Sequence, residues 1–112
     1  MAADAAAAGY RDVDVTALKT ALDAGQVPVL VDVRSAEEYA AGHVKGARNI
    51  PVGQVQGRLA ELEAYKGGDV YVICQSGGRS AKASATLAAA GYKAVNVTGG
   101  TGGWVKKGYP VE

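Results

Sequence analysis

The run Asp69-Val70-Tyr71-Val72-Ile73, which leads directly into the only cysteine, Cys74, constrains the fold of this chain more than any other segment. Its β-branched and aromatic residues mark a strand. A second apolar run, Val27 to Val33 with Pro28 at its start, suits a strand buried on both faces of a parallel sheet. Shorter strand patterns lie at Val13 with Val15, at Ala47 to Ile50 before Pro51, and at Ala94 to Val97. Helical signals fall between them. Thr16 is the expected N-cap of a helix carrying Leu18 and Leu22 and stopped by Gly25, and the capping box Ser35-Ala36-Glu37-Glu38 opens a helix from about Ala36 to Ala41 ended by Gly42. Val52, Val55, Leu59 and Leu62 repeat at three- and four-residue steps and predict an amphipathic helix. The Ala-rich residues 81–90, with Leu87, form another helix closed by Gly91. Gly99 to Gly103 reads as a turn before Trp104 on a short terminal helix or turn. Alternating strands and helices define an α/β fold, a parallel sheet covered on both faces.

The 112 residues suffice for one core and are too few for two ordinary domains. Residues 1–9, rich in Ala and Gly, are expected to be a flexible segment ahead of a domain over residues 10–112. With 48% apolar and 21% charged residues, the chain is neither disordered nor membrane-spanning in composition. Its formal net charge of +1 supplies no field to recruit nucleic acid or an anionic membrane. One Cys and one His allow neither an internal disulfide nor a structural zinc site. The start Met1-Ala2-Ala3-Asp4-Ala5 has no basic leader, so the expected compartment is the cytoplasm, or the periplasm if a signal peptide has been removed. A monomer is the default for a chain with no evident extra interface segment.

The chemistry concentrates in Cys74-Gln75-Ser76-Gly77-Gly78-Arg79-Ser80, between the best strand and the Ala-rich helix. Two glycines let such a turn bend with its N–H groups facing inward, and the helix N-terminus adds a positive dipole end. A cysteine at the mouth of this anion cradle has its thiolate favoured by the N–H groups and by Arg79. A free cysteine at a strand end is more often a buried apolar residue. The Gly-Gly turn, the arginine and the helix start together turn the reading toward a nucleophile whose loop, Gln75 to Ser80, binds substrate.

Several separated motifs resemble the rhodanese family from about Val13 to Val111: Val31-Asp32-Val33-Arg34 with Ser35-Ala36-Glu37-Glu38-Tyr39, Gly42-His43-Val44 with Gly46-Ala47-Arg48-Asn49-Ile50-Pro51, the Cys74 loop, and Thr98-Gly99-Gly100 with Trp104. The resemblance implies a rhodanese-like five-stranded parallel sheet flanked by helices, and a single-domain thiosulfate sulfurtransferase. Cys74 would take sulfane sulfur from thiosulfate or another persulfide donor and pass it to cyanide or to a thiol acceptor, such as glutathione or a thioredoxin-like protein, with no metal or organic cofactor. Related phosphatases and arsenate reductases use a Cys-x5-Arg loop; the shorter Cys-x4-Arg spacing here favours sulfur transfer. A sulfur-relay module that holds a persulfide for one partner, with little free turnover, is the other alternative.

Asp32 and Arg34 stand at and just beyond the end of the second strand, the side where open parallel sheets bind ligands. They are expected to support loop geometry, Arg34 pairing with Glu37 or Glu38 and Asp32 capping backbone. His43 and Trp104 read as structural. Gly103-Trp104-Val105-Lys106-Lys107-Gly108 is no P-loop, because Tyr109 stands where a lysine is required, and Gly99 to Gly103 lacks dinucleotide-binding spacing.

Overall fold

Val29–Asp32 (β2) and Asp69–Ile73 (β4) lie side by side in parallel, Val31 opposite Val72 and Asp32 opposite Ile73. Successive side chains alternate between two buried faces: Val29, Val31, Val70 and Val72 point to one, Leu30, Tyr71 and Ile73 to the other. This two-sided burial is why their sequences are almost continuously apolar. The computed structural model describes residues 9–112. The expected flexible N-terminal segment lies, Gly9 apart, outside the described residues. Arg11–Val13 (β1), Arg48–Asn49 (β3) and Lys93–Val97 (β5) complete the expected five-stranded parallel sheet, in the order β1-β5-β4-β2-β3.

Helices cover both faces. On the first, helix α3 (Gly78–Ala89) packs Ala83 and Leu87 against the sheet beside Val55 and Leu62. On the second, α1 (Val15–Asp23) contributes Val15 and Leu18, and α4 (Gly100–Lys106) contributes Trp104. The buried Trp104 indole is satisfied by donating from Nε1 to the Pro110 carbonyl at 2.8 Å. Helix α2 (Ala36–Ala40) has the predicted capping box, with Ser35 Oγ accepting from the Glu38 N–H and the Glu38 carboxylate accepting from the Ser35 N–H.

Three local expectations are corrected. The N-cap of α1 is Asp14, not Thr16: its Oδ1 accepts from the Ala17 N–H at 2.8 Å, and burial of Val15 draws that residue into the helix instead of the strand. The segment predicted as one amphipathic helix is two stretches of 3₁₀-helix, Val52–Gln54 and Gln56–Tyr65, with a kink at Arg58. Gly53 and Gly57 weaken an α-helix here, and the three-residue steps Val52–Val55 and Leu59–Leu62 suit a helix of three residues per turn. Gly100 to Gly103 is helical, since α4 begins inside the glycine run.

Leu87 is fully buried between α3 and the sheet. Leu87→Ala is therefore expected to cost about 2–5 kcal/mol, read as a lower urea midpoint at unchanged slope.

Candidate active site

Strand β4 ends at Ile73 and delivers Cys74 to the carboxyl edge of the sheet, where the residue is only 1% exposed. The chain then turns through Gln75 and Ser76 to Gly77, whose φ of 114° is a conformation that glycine adopts without steric cost. This turn directs the Gly77 N–H back onto the cysteine, where it donates to Sγ at 3.1 Å. The Cys74 thiol donates to Ser80 Oγ at 3.3 Å, and the Ser80 hydroxyl donates to the Gly77 carbonyl at 3.2 Å. When the thiol loses its proton, rotation of that hydroxyl exchanges the carbonyl for the thiolate.

Helix α4 holds the loop from outside. The Thr101 N–H donates to the Cys74 carbonyl at 2.8 Å and the Gly102 N–H to the Gln75 carbonyl at 3.0 Å. In a trans peptide the N–H points away from its carbonyl, so fixing these two oxygens toward α4 turns the N–H groups of Gln75 and Ser76 the other way. The approach is close enough to require glycine. A Cβ on Gly100 would stand 2.4 Å from the Cys74 carbonyl oxygen and 2.6 Å from Gln75 backbone atoms, and Gly100 itself has a φ of 57°.

These contacts decide the acidity of Cys74. Burial pushes the thiol up, but the Ser80 hydroxyl and the backbone N–H groups of Ser80, Gly77 and Ser76 outweigh it and hold the thiol below its ordinary value. Arg79 spends its hydrogen bonds on a carboxylate and acts on Cys74 only through space. Its guanidinium makes a bidentate pair with Glu38, at 2.7 and 2.8 Å, and makes no hydrogen bond to Cys74 among the described residues. The same carboxylate completes the capping box of α2, and Arg79 first, then the Ser35 N–H, hold the Glu38 carboxyl at about 2.

Asp32 and Arg34 sit beneath the site, both buried. Arg34 pairs with Asp32, not with Glu37 or Glu38: Asp32 accepts from the Arg34 N–H and Nε at 3.0 Å and from Nη2 at 2.7 Å, while Nη2 also donates to the Gly42 carbonyl. The chain leaves β2 in a turn that folds the fork back two residues, so Asp32 caps backbone as predicted. Asn49 Nδ2 bridges the carbonyls of Asp32 and Arg34, at 3.0 and 2.9 Å. His43 stacks on Tyr39 with ring centroids 3.7 Å apart, and its Nδ1 lies 2.9 Å from the Tyr39 carbonyl.

Sequence reasoning missed Glu38 as a partner of the loop, and Gly100, Thr101 and Gly102 as its support. Glu38 and Arg79 are 41 positions apart, and no local pattern links them. The Thr98-Gly99-Gly100 motif was the available sign for the second group.

A family model for the Rhodanese-like domain matches residues 14–107. The chain belongs to the rhodanese family. Thiosulfate sulfurtransferase 18 of Arabidopsis thaliana is 40% identical over 112 residues, covering 88% of this chain and 81% of that protein. A Bacillus subtilis protein provisionally named a sulfur carrier is 35% identical over 102 residues, 90% of this chain, and the rhodanese chain spans 54% of that relative's length. The crystal structure of a rhodanese-related protein from Thermoplasma volcanium superposes with a TM-score of 0.83 at 31% identity, covering 92% of this chain and 98% of that one. The rhodanese fold and membership of a sulfurtransferase family are thus established for this chain. Among the described residues no helix is long and apolar enough to cross a membrane.

Two consequences of the geometry are measurable. Because the folded thiol titrates below its ordinary value, the nucleophilic thiolate persists as pH falls through that value and disappears only at the lower one. Alkylation of Cys74 by iodoacetamide should reach half its maximal rate at a lower pH than alkylation of the same cysteine in the unfolded chain, and Ser80→Ala should move that midpoint upward. Gly100→Ala should displace the Cys74 and Gln75 peptides and lose at least about tenfold in alkylation rate near neutral pH, an effect of the size expected when hydrogen bonds to the thiolate are misaligned.

Proposed function

We propose that this rhodanese is a sulfurtransferase that carries sulfane sulfur on Cys74 as a persulfide. The observation that carries the reading is the convergence of the Gly77 N–H and Ser80 on Sγ, at 3.1 and 3.3 Å. In the first step the Cys74 thiolate attacks the outer sulfur of a donor; with thiosulfate the sulfur–sulfur bond breaks and its electron pair leaves with sulfite. In the second, an acceptor nucleophile takes the outer sulfur and the electron pair returns to Cys74. Cyanide and thiols, glutathione or a thioredoxin-like protein among them, have the required nucleophilicity. Neither step changes the overall electron count, so no redox partner is consumed.

Preorganised N–H groups supply what a persulfide anion needs, a fixed set of donors that require no rearrangement. Gln75, Ser76, Gly77, Gly78 and Ser80 form that cradle, while Asp32 and Arg34 support it from below. The four-residue spacing to Arg79 and its pairing with Glu38 argue against phosphate or arsenate as substrate, because the loop's arginine is already committed to a carboxylate. A relay that hands its sulfur to one protein would use the same intermediate.

Intact-protein mass spectrometry tests the intermediate. The reduced chain incubated with thiosulfate or an organic persulfide should gain one sulfur atom, removable by a thiol reductant, and Cys74→Ser should gain none while keeping its circular dichroism spectrum. Sulfur bound equally by Cys74→Ser, or no adduct with either donor, would sink the proposal.

A further inference from the structure

Arg79 lies in sequence between two residues that touch the sulfur: the Gly77 N–H donates to Sγ at 3.1 Å, and Ser80 Oγ stands 3.3 Å from it. Its own side chain is 40% exposed, and among the described residues its hydrogen bonds go to Glu38 alone, Nη1 to Oε1 at 2.7 Å and Nη2 to Oε2 at 2.8 Å. A guanidinium so open to water is placed by its partner. Glu38 is fixed from behind in turn, since its Oε1 also accepts from the Ser35 N–H and hydroxyl, both at 3.1 Å. Arg79 first, then Ser35, keep the carboxyl ionised down to about 2, so the pair stays closed at any working pH. The other negative groups that Arg79 feels are the Cys74 sulfur and then Asp32. Asp32 is fully buried and already holds Arg34 through Nε and Nη2. Glu37, the neighbouring carboxylate on α2, is turned about 100° around the helix axis from Glu38. With the charge on Glu38 removed, the sulfur and any anion seated on it become the best partner left to the guanidinium.

We propose that Glu38 is a positioning residue that sets the anion selectivity of the cysteine loop: by holding Arg79 on α2, it keeps the guanidinium from closing over an oxyanion seated on the loop's N–H groups. The consequence for turnover rests on the sulfurtransferase reading given above; the consequence for binding does not. A turn of inward N–H groups at a helix start attracts tetrahedral anions by itself. A guanidinium added to it makes a strong oxyanion site, because two parallel charge-assisted hydrogen bonds match two oxygens at once. Sulfate or phosphate held that way would cover the thiolate without reacting, and sulfite formed from thiosulfate would leave slowly. With Arg79 spent on Glu38, the loop keeps its donors for sulfur, and its hold on oxyanions stays weak.

The test uses Glu38→Gln. Glutamine at the third position of α2 still completes a capping box with Ser35, so the variant removes the charge that holds Arg79 and preserves the cap, which an unchanged circular dichroism spectrum checks. Protection of Cys74 from iodoacetamide by sulfate, at constant ionic strength, gives the dissociation constant of sulfate without calling on sulfur transfer. That constant should fall at least about tenfold in Glu38→Gln, the scale of gaining charge-assisted hydrogen bonds, and the gain should vanish when Arg79→Gln is added. KM for thiosulfate, with cyanide as acceptor, should fall in the same variant while kcat does not rise, a split that general loosening of the loop does not produce. Sulfate affinity unmoved by Glu38→Gln, or raised equally in the double variant that also carries Arg79→Gln, overturns the assignment. Tighter sulfate binding by Glu38→Gln, with no sulfur transferred from thiosulfate to Cys74 in any form of the protein, would uphold the role of Glu38 and remove the sulfurtransferase reading instead.

Discussion

The two hydrogen bonds from the first turn of α4 to the carbonyls of Cys74 and Gln75 set the geometry on which the rest of the site depends. A loop of small residues after a strand has many conformations, and burying its cysteine without donors would raise the thiol's pKa, the wrong direction for a nucleophile. Gripping the two carbonyls from behind selects one conformation and turns the adjoining N–H groups toward the sulfur. The grip is available because Gly100 lets α4 approach the loop backbone to a distance that any Cβ would forbid. Residues 27 positions away in sequence thus determine how the strand-to-helix turn presents its dipoles.

That arrangement divides electrostatic labour in an unexpected way. Each arginine near the site has its own carboxylate, Arg34 with Asp32 and Arg79 with Glu38, so full charges tie secondary-structure elements together. The direct contacts to sulfur come from the Ser80 hydroxyl and from backbone N–H groups. Amide dipoles fixed by the fold need no reorganisation when charge develops, whereas a flexible arginine would have to be desolvated and reoriented. Glu38 joins α2 to the start of α3 while capping its own helix, which links the exit of β2 to the exit of β4, the two strand ends that frame the site.

The sheet was legible in the sequence because β2 and β4 are buried on both faces, and that burial leaves apolar runs at Val29 to Val31 and Val70 to Ile73. The cysteine loop was legible for a related reason: Gly77 is needed for its backbone conformation, and the helix start follows at once. What escaped were features decided by tertiary proximity. Asp14 and Thr16 are both acceptable caps, and only burial of Val15 chooses between them. Val52 to Leu62 has a helical hydrophobic pattern that fits three residues per turn as well as three and six-tenths, with Gly53 and Gly57 deciding the outcome. Glu38 fulfils its capping box completely, so nothing in the local pattern hints at its second partner, Arg79.

Cys74 lies almost wholly beneath the molecular surface at the floor of its cradle. A sulfur that bears a substituent on only one side can descend to it as a narrow tip, with its bulk left above. Each sulfur of an ordinary disulfide carries a carbon as well as its partner sulfur, so neither can be brought end-on to the thiolate without carrying that carbon toward the loop. Depth alone thus favours a terminal sulfur over one held within a disulfide, a preference set by shape and not by charge.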